Sequence, residues 1–303
     1  MKKLFLLSTL FCLHLANAQT YRDSLITDIH RNYAKEDSAY QKLKADIKAL
    51  EKLEEKPNPE ILHAVLTHSY KLKDVDYFKE VLTLLTRKYG FNLSYASGYE
   101  DYYNAIIKGD LAVWFKEMYI KNHSEWLSEN LDKQIDIYRL NNLREKDQLV
   151  HRTVISIQEI KGLTEEQKIE LNRIDDANFN RNLDTLLEIS NKIDNLPTGN
   201  SFALIQKHYG IVETHAMQRP SMFERAWQGL LPFYKKAYLN KNISSLYFKN
   251  IDAHMYEFNG KQIFNFLNIR NGANGENNNI SEKKIPLVNP EQTKKLRQEL
   301  GWN

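Results

Sequence analysis

The sequence has 303 residues, in which 42 lysines and arginines face 39 aspartates and glutamates, and it contains one cysteine. This near-neutral balance excludes the strongly basic footprint of a nucleic-acid-binding domain, and the length suits one large domain or two small ones. With 11 glycines, 7 prolines and 27% charged residues, the composition is typical of a helix-rich globular protein.

Residues 1–18 have the pattern of a cleaved secretory signal. Two lysines precede an apolar run over 4–15, and Ala-Asn-Ala at 16–18 supplies the small residues of a cleavage site. The run is too short to span a bilayer, and no later segment reaches that length. Phe11 before Cys12 disfavours a lipoprotein signal. We therefore expect an exported chain, periplasmic or secreted, that has no disulfide because Cys12 leaves with the signal.

Residues 19–143 are predicted to form solenoid-like helical hairpins. Pro59 suits the first turn of a helix that runs to about Leu72, and a second apolar stripe begins at Val75 and stops at Gly90, a typical helix-ending residue. Two such helices joined by a short turn resemble a tetratricopeptide unit, although no second copy follows at a fixed period.

The next segment, from Tyr102 to Leu143, is also predicted to be helical. Its candidate core residues are Ile106, Val113, Phe115, Trp126, Leu127, Leu131, Ile135, Tyr138 and Leu143. Thr164 and Gln167 have the spacing of a capping box, in which each side chain bonds to the backbone of the other. We expect one helix from there toward Leu171 and a second over 180–193.

A β-hairpin is predicted over residues 252–267, inside a mainly α domain that covers 144–303. Asn259-Gly260 is the preferred pair for a two-residue type I′ turn, since both positions need a positive φ. This register would place Met255 and Phe264 on one apolar face. That face must pack on the helical body, because a lone hairpin is marginal in water.

Five short motifs follow one another after residue 144. They are Asp147-Gln148 with Arg152, Asp176-x-Asn178, Thr214-His215-Ala216 before Pro220 and Phe223, Ile251-Asp252 with Asn259-Gly260-Lys261-Gln262, and Asn289-Pro290 with Arg297 and Gly301. The second motif is one residue short of the family's spacing when it is counted from Asp176 and matches it when it is counted from Asp175. In order and spacing they resemble an uncharacterised bacterial family, the domain of unknown function 6624. The sequence departs from that pattern at Ala253, where the family has Arg, and at Ile263-Phe264-Asn265, where it has Tyr-Gly-Thr. The resemblance implies a mostly α domain with a hairpin and a polar site around His215, and it implies no activity.

His215 is the first candidate for a catalytic role, because a histidine oriented by a carboxylate can act as a general base. Asp252 or Glu213 would orient the ring, and Arg152 or Gln262 would hold a substrate. The alternative is a histidine at a helix start that bonds to a backbone carbonyl.

Three polar residues are further candidates for ligand binding, namely Asp147, Gln262 and His254. Asp147 and Arg152 are five residues apart and do not share a helix face. The alternative for these two residues is a buried structural ion pair across elements. The alternative for Gln262 is a cross-strand surface pair with Glu257.

The sequence predicts no metal site and no cofactor. His63 and His68 would point to different helix faces, and the chain lacks a His-Glu-x-x-His sequence, a glycine-rich phosphate loop and a Gly-x-Ser-x-Gly elbow. We therefore expect an exported helical protein that binds an unknown protein or small molecule. The alternative is a hydrolase-like enzyme with a site centred on His215.

Overall fold

The structure is a computed structural model that describes residues 21–32, 39–53, 58–93, 100–202, 209–270 and 282–302. These residues are mainly helical, as the sequence predicts. The helices are α1 (21–32), α2 (Tyr40–Leu53), α3 (Pro59–Lys71), α4 (Val75–Tyr89), α5 (Glu100–Ile107), α6 (Ala112–Glu129), α7 (Gln134–Gln158), α8 (Glu165–Ile193), α9 (Gly199–Phe202), α10 (Gly210–Gln218), α11 (Pro220–Leu239), α12 (Ser245–Asn259) and α13 (Pro290–Glu299). A 3₁₀ turn covers Leu131–Lys133, and the two strands are β1 (Asn268–Arg270) and β2 (Glu282–Lys284). The predicted signal, residues 1–18, lies outside the described residues.

The chain divides into two compact units. The first unit holds the described residues within Met1–Ile135 and Pro197–Lys207, and the second holds those within Asp136–Leu196 and His208–Asn303. No helix in the described part of the chain is long and apolar enough to cross a membrane.

In the first unit, α3 and α4 form the helical hairpin that the sequence predicts. The two helices pack on each other, while α2, α5 and α9 pack on α3 and α6 packs on α4. The residues at helical spacing on the facing stripes are fully buried, including Leu62, Leu66, Phe78, Leu82 and Leu85. Burial of these two stripes is the main source of the hairpin's stability.

Gly90 ends α4, as predicted, and its position admits no side chain. Its φ of 62° lies in the left-handed region, which favours glycine. An added Cβ would lie 2.4 Å from the ring of Trp126 on α6. The close approach of that indole to the backbone therefore depends on glycine.

In the second unit, α7 and α8 form an antiparallel pair of long helices. Side-chain hydrogen bonds connect them along their length, and the residue number rises on one helix as it falls on the other. These pairs are Asp136–Lys192, Arg139–Glu188 and Gln158–Asn172.

The predicted capping box at the start of α8 is confirmed. The Thr164 hydroxyl accepts a hydrogen bond from the Gln167 N–H at 3.2 Å, and the Thr164 N–H donates to Gln167 Oε1 at 2.9 Å. The helix then runs for 29 residues to Ile193, so the two helices expected over this segment are one.

Aromatic side chains fill the core around α11 and α12. The ring of Phe248 lies 4.7 Å from that of Phe264 and 4.8 Å from that of Trp302, in edge-to-face contacts. Trp227 on α11 meets Phe264 at 5.1 Å. Such pairs add to the stability given by apolar burial.

The β-hairpin predicted over 252–267 is wrong, because residues 245–259 form α12. Gly260 caps the helix in the left-handed conformation with a φ of 64°, and its N–H donates to the Tyr256 carbonyl at 2.8 Å. An Asn-Gly pair suits a helix end as well as a type I′ turn, since both need a positive φ.

The burial pattern of α12 has the helical period that decides between the two structures. Phe248, Ile251 and Met255 recur every three or four residues and are all buried. Met255 and Phe264 are both buried in the core, as expected, but Met255 lies on α12 and Phe264 lies in the loop that follows it. The strands that do form, β1 and β2, pair antiparallel after this loop, with Asn268 opposite Lys284.

Several of the core residues expected between 102 and 143 are exposed. Ile106, Phe115, Trp126 and Leu143 are buried, whereas Val113, Leu127, Leu131, Ile135 and Tyr138 face solvent. Apolar residues lie on more than one face of this segment, and the spacing alone does not show which face packs.

Candidate functional site

Three helices of the second unit place polar side chains in one buried cluster. On α7, Asp147 and His151 lie one turn apart, and on α8, Asp175, Asn178 and Asn182 follow at helical spacing. The α10 residue His215 and the residue between α10 and α11, Arg219, complete the set. We call these seven residues the histidine–aspartate cluster.

His215 and Asp147 form the most buried contact of the cluster. His215 Nε2 donates to Asp147 Oδ2 at 2.9 Å, and the other ring nitrogen, Nδ1, lies 2.9 Å from the side-chain oxygen of Gln218. Asn182 Nδ2 donates to the second oxygen of Asp147 at 3.2 Å. Both nitrogens of this ring are therefore engaged within the protein.

A second histidine–carboxylate pair, His151 and Asp175, is partly open to solvent. His151 Nδ1 donates to Asp175 Oδ2 at 2.9 Å, and Arg219 Nη2 donates to the same oxygen at 2.5 Å. The Asp175 side chain is 3% exposed, but that of His151 is 27% exposed. Within the described ranges, His151 Nε2 has no hydrogen-bond partner, so this nitrogen is available to a ligand.

The ring of Phe179 joins the two pairs. It stacks on the imidazole of His215, with centroids 4.0 Å apart and planes 18° apart, and the guanidinium of Arg219 lies 4.2 Å from its centroid on α8. The rings of His151 and His215 are 5.4 Å apart. Rigid aromatic packing and the cation–π contact thus fix the distance between the two histidines.

Two buried polar atoms of the cluster have no hydrogen-bond partner. They are Oδ1 of Asp175, an acceptor, and Nδ2 of Asn178, a donor. Each buried unpaired group costs about 1–3 kcal/mol, and most buried polar groups in proteins are paired. The cluster therefore has an unused acceptor and an unused donor, on residues that lie three positions apart on α8.

The structure does not bring Asp252 to His215, so the predicted catalytic pair does not form. Asp252 is fully buried, and its Oδ1 accepts the N–H groups of Ile263 and Phe264 at 2.7 and 2.8 Å, while Oδ2 accepts that of Phe266 at 2.9 Å. Burial raises the pKa of its carboxyl, and these backbone donors oppose that rise. Asp252 anchors the loop after α12. The carboxylate beside His215 belongs to Asp147, in the position that was expected for Asp252.

Arg152, Gln262 and His254 also lie apart from His215. Arg152 is exposed on α7, so the buried ion pair with Asp147 does not form, and the oxygens of Asp147 accept from His215 and Asn182 instead. Gln262 is buried, and its Oε1 accepts the Leu267 N–H at 2.9 Å, so it holds the same loop and is no cross-strand surface residue. His254 is exposed on α12.

Glu213, the other carboxylate proposed to orient His215, belongs to a separate group of tyrosines. It accepts hydrogen bonds from the hydroxyl groups of Tyr234 and Tyr247. Burial, followed by the negative charge of Glu213, raises the pKa of both tyrosines well above the ordinary value.

The residues that sequence reasoning missed are His151 and Arg219 as a pair of donors to Asp175. The sequence contained a signal for His151, because it lies four residues after Asp147 and therefore shares a helix face with it. Arg219 lies at a break between helices, and no spacing rule predicts its contact. Within the described residues, no group of three or more His, Cys, Asp or Glu is placed to hold a metal ion.

Comparison with known proteins gives no relative. No protein-family model, curated protein or solved structure matches the chain.

Proposed function

We propose that this chain is an exported helical protein whose second unit binds a small polar ligand at the histidine–aspartate cluster. The observation that carries the proposal is the pair of buried, unpaired atoms, Asp175 Oδ1 and Asn178 Nδ2. They lie in the same cluster as His151, whose side chain is 27% exposed and whose Nε2 has no hydrogen-bond partner among the described residues. A ligand with two donors and one acceptor would complete all three groups, since Asp175 Oδ1 and His151 Nε2 each accept a hydrogen bond and Asn178 Nδ2 donates one.

The energetic cost of the cluster supports a binding role. Two buried unpaired atoms cost roughly 2–6 kcal/mol in total, a large fraction of the 5–15 kcal/mol by which a domain is stable. An apolar pair at these positions would avoid that cost. A binding site is one physical explanation for buried polar groups that the protein itself leaves unpaired.

Export and family membership are part of the same proposal. The signal pattern over residues 1–18 supports export. The resemblance to the domain of unknown function 6624 supports the site, since three of its motif segments contribute to the cluster. These segments are Asp147-Gln148, Asp175-x-x-Asn178 and Thr214-His215-Ala216.

Native mass spectrometry of the full chain, purified without denaturation, tests the proposal. We expect an adduct of defined mass that is released on unfolding and is lost in Asn178→Ala. The matched control is Asn172→Ala, an exposed asparagine on the same helix, which should keep the adduct. A bare wild-type chain, or equal adducts in both variants, would contradict binding at the cluster.

A hydrolase-like enzyme is the second candidate, and the pair His151–Asp175 favours it. A carboxylate on Nδ1 orients the ring and leaves Nε2 to take a proton, the geometry of a general base. Hydrolysis of a panel of chromogenic esters and phosphate esters should then be abolished by His151→Gln and unaffected by His254→Gln on exposed α12. Equal rates in the two variants would exclude this role for His151.

A further inference from the structure

A groove between α7 and α8 adjoins the histidine–aspartate cluster. Its volume is about 1030 Å³, counting the solvent at its mouth, and Asn178 and Asn182 line it together with the apolar side chains of Leu143 and Val150. Because these two asparagines belong to both the groove and the cluster, a molecule in the groove would touch the proposed ligand site. The groove is large enough for a small organic molecule.

The charges on the rim of the groove do not balance. Arg139 is neutralised by a two-bond pair with Glu188, and Asp184 is neutralised by Arg225. The remaining rim charges are those of two exposed cations, Lys146 and Arg181. Within the described ranges neither of them contacts a carboxylate, so the groove carries an excess of two positive charges.

One of the asparagines that line the groove, Asn178, has an unused hydrogen-bond donor. Asn178 is 5% exposed, and its Nδ2 is one of the two unpaired atoms of the cluster. On α8, Arg181 follows it by three residues, so the amide and the guanidinium lie on neighbouring positions of the same helix face. Arg181 Nε donates to the Ala177 carbonyl at 3.3 Å, which leaves its two terminal nitrogens for a ligand.

We infer that the ligand of the second unit is an anion, with a carboxylate or phosphate group that lies between Lys146 and Arg181 and accepts a hydrogen bond from Asn178 Nδ2. Carboxylates and phosphates supply the negative charge and the acceptor oxygens that these three groups lack. The inference rests on the proposed function and names the chemical class of its ligand.

The test is a titration of the full chain with inorganic phosphate and, separately, with sodium acetate, followed by NMR of the asparagine side-chain amides. We expect the Asn178 signal, identified by its loss in Asn178→Ala, to shift and saturate with one of the two anions. That anion then identifies the ligand as a phosphate or a carboxylate. If neither anion shifts this signal, the inference is wrong.

Charge-matched variants separate a specific site from general attraction. The double variant Lys146→Gln/Arg181→Gln should raise the dissociation constant of the anion at least about tenfold, which corresponds to a loss of about 1.4 kcal/mol of binding free energy. The control Lys168→Gln/Arg173→Gln removes the same charge from exposed positions of α8, where each cation pairs with a glutamate, and should leave binding unchanged. Equal weakening in both variants would overturn the inference.

Failure of the inference and failure of the proposed function give different results. A native adduct that depends on Asn178, with no response to either anion, would retain the ligand site and exclude an anionic ligand. If an anion shifts the Asn178 amide signal but the native protein has no adduct, the anion site is supported, and the proposal that the protein is purified with a bound ligand is contradicted.

Discussion

Replacement of Asp252 by alanine should open the loop that follows α12. Its two carboxylate oxygens accept three backbone N–H groups, from Ile263, Phe264 and Phe266, at 2.7–2.9 Å. In Asp252→Ala these donors lose their acceptor, and a buried unpaired donor costs about 1–3 kcal/mol. We expect the free energy of local opening to fall by about 3 kcal/mol, since part of the loop regains water when it opens.

Hydrogen exchange at these three amides measures that opening directly. A loss of about 3 kcal/mol corresponds to roughly a hundredfold faster exchange, at about 1.4 kcal/mol for each tenfold. The control is Glu257→Ala, which removes an exposed carboxylate from the same helix and should leave these amides protected. Unchanged exchange in Asp252→Ala would refute the anchoring role and reopen a functional one.

Three further predictions concern stability and ionisation. Gly90→Ala should destabilise the protein to urea by about 1–3 kcal/mol more than Gly162→Ala, because both glycines have a positive φ but a Cβ only at Gly90 meets Trp126. Thr164→Ala should cost about 1 kcal/mol through loss of the cap on α8, measured in the same assay, and no loss would contradict the capping geometry. In an ultraviolet titration, the folded Tyr234→Phe/Tyr247→Phe variant should have two fewer tyrosines that stay protonated above pH 10.0 than the wild-type protein, in which burial also raises the pKa of Tyr40, Tyr77 and Tyr119. The pKa of Tyr234 and Tyr247 is higher in the folded protein than in the unfolded chain. Their protonated hydroxyl groups therefore favour the folded state below pH 10.0, and this stabilisation is lost as the pH rises further.

The sequence predicts helices well where local signals agree. The α3–α4 hairpin, the helix end at Gly90 and the capping box of Thr164 each depend on contacts within a few residues. A single side chain or dihedral angle decides each of them. They were therefore predictable without knowledge of the tertiary structure.

The segment around Asn259 and Gly260 shows where local signals conflict. A turn pair with positive φ ends a helix or joins two strands, and the choice depends on what the flanking residues pack against. The helical spacing of Phe248 and Ile251 favours a helix over a strand. Both residues precede residue 252, where the predicted hairpin begins, so the prediction of strands did not take them into account.

The candidate site could be predicted only in part, because its contacts are distant in sequence. His215 was predicted as a functional residue and does lie in the cluster, but its partner, Asp147, is 68 positions away. Asp252 has the same chemistry and an equally plausible place in the sequence. Only the tertiary structure distinguishes the two carboxylates, because it places Asp147 beside His215 and gives Asp252 the backbone N–H groups of the loop after α12.

The central claim is that a ligand completes the unpaired atoms of the histidine–aspartate cluster. A crystal structure of the protein purified without denaturation tests it most directly. The account predicts electron density larger than a water molecule within about 3.2 Å of Asp175 Oδ1 and Asn178 Nδ2. A hydrogen bond between these two atoms, or one water that joins them, would contradict it.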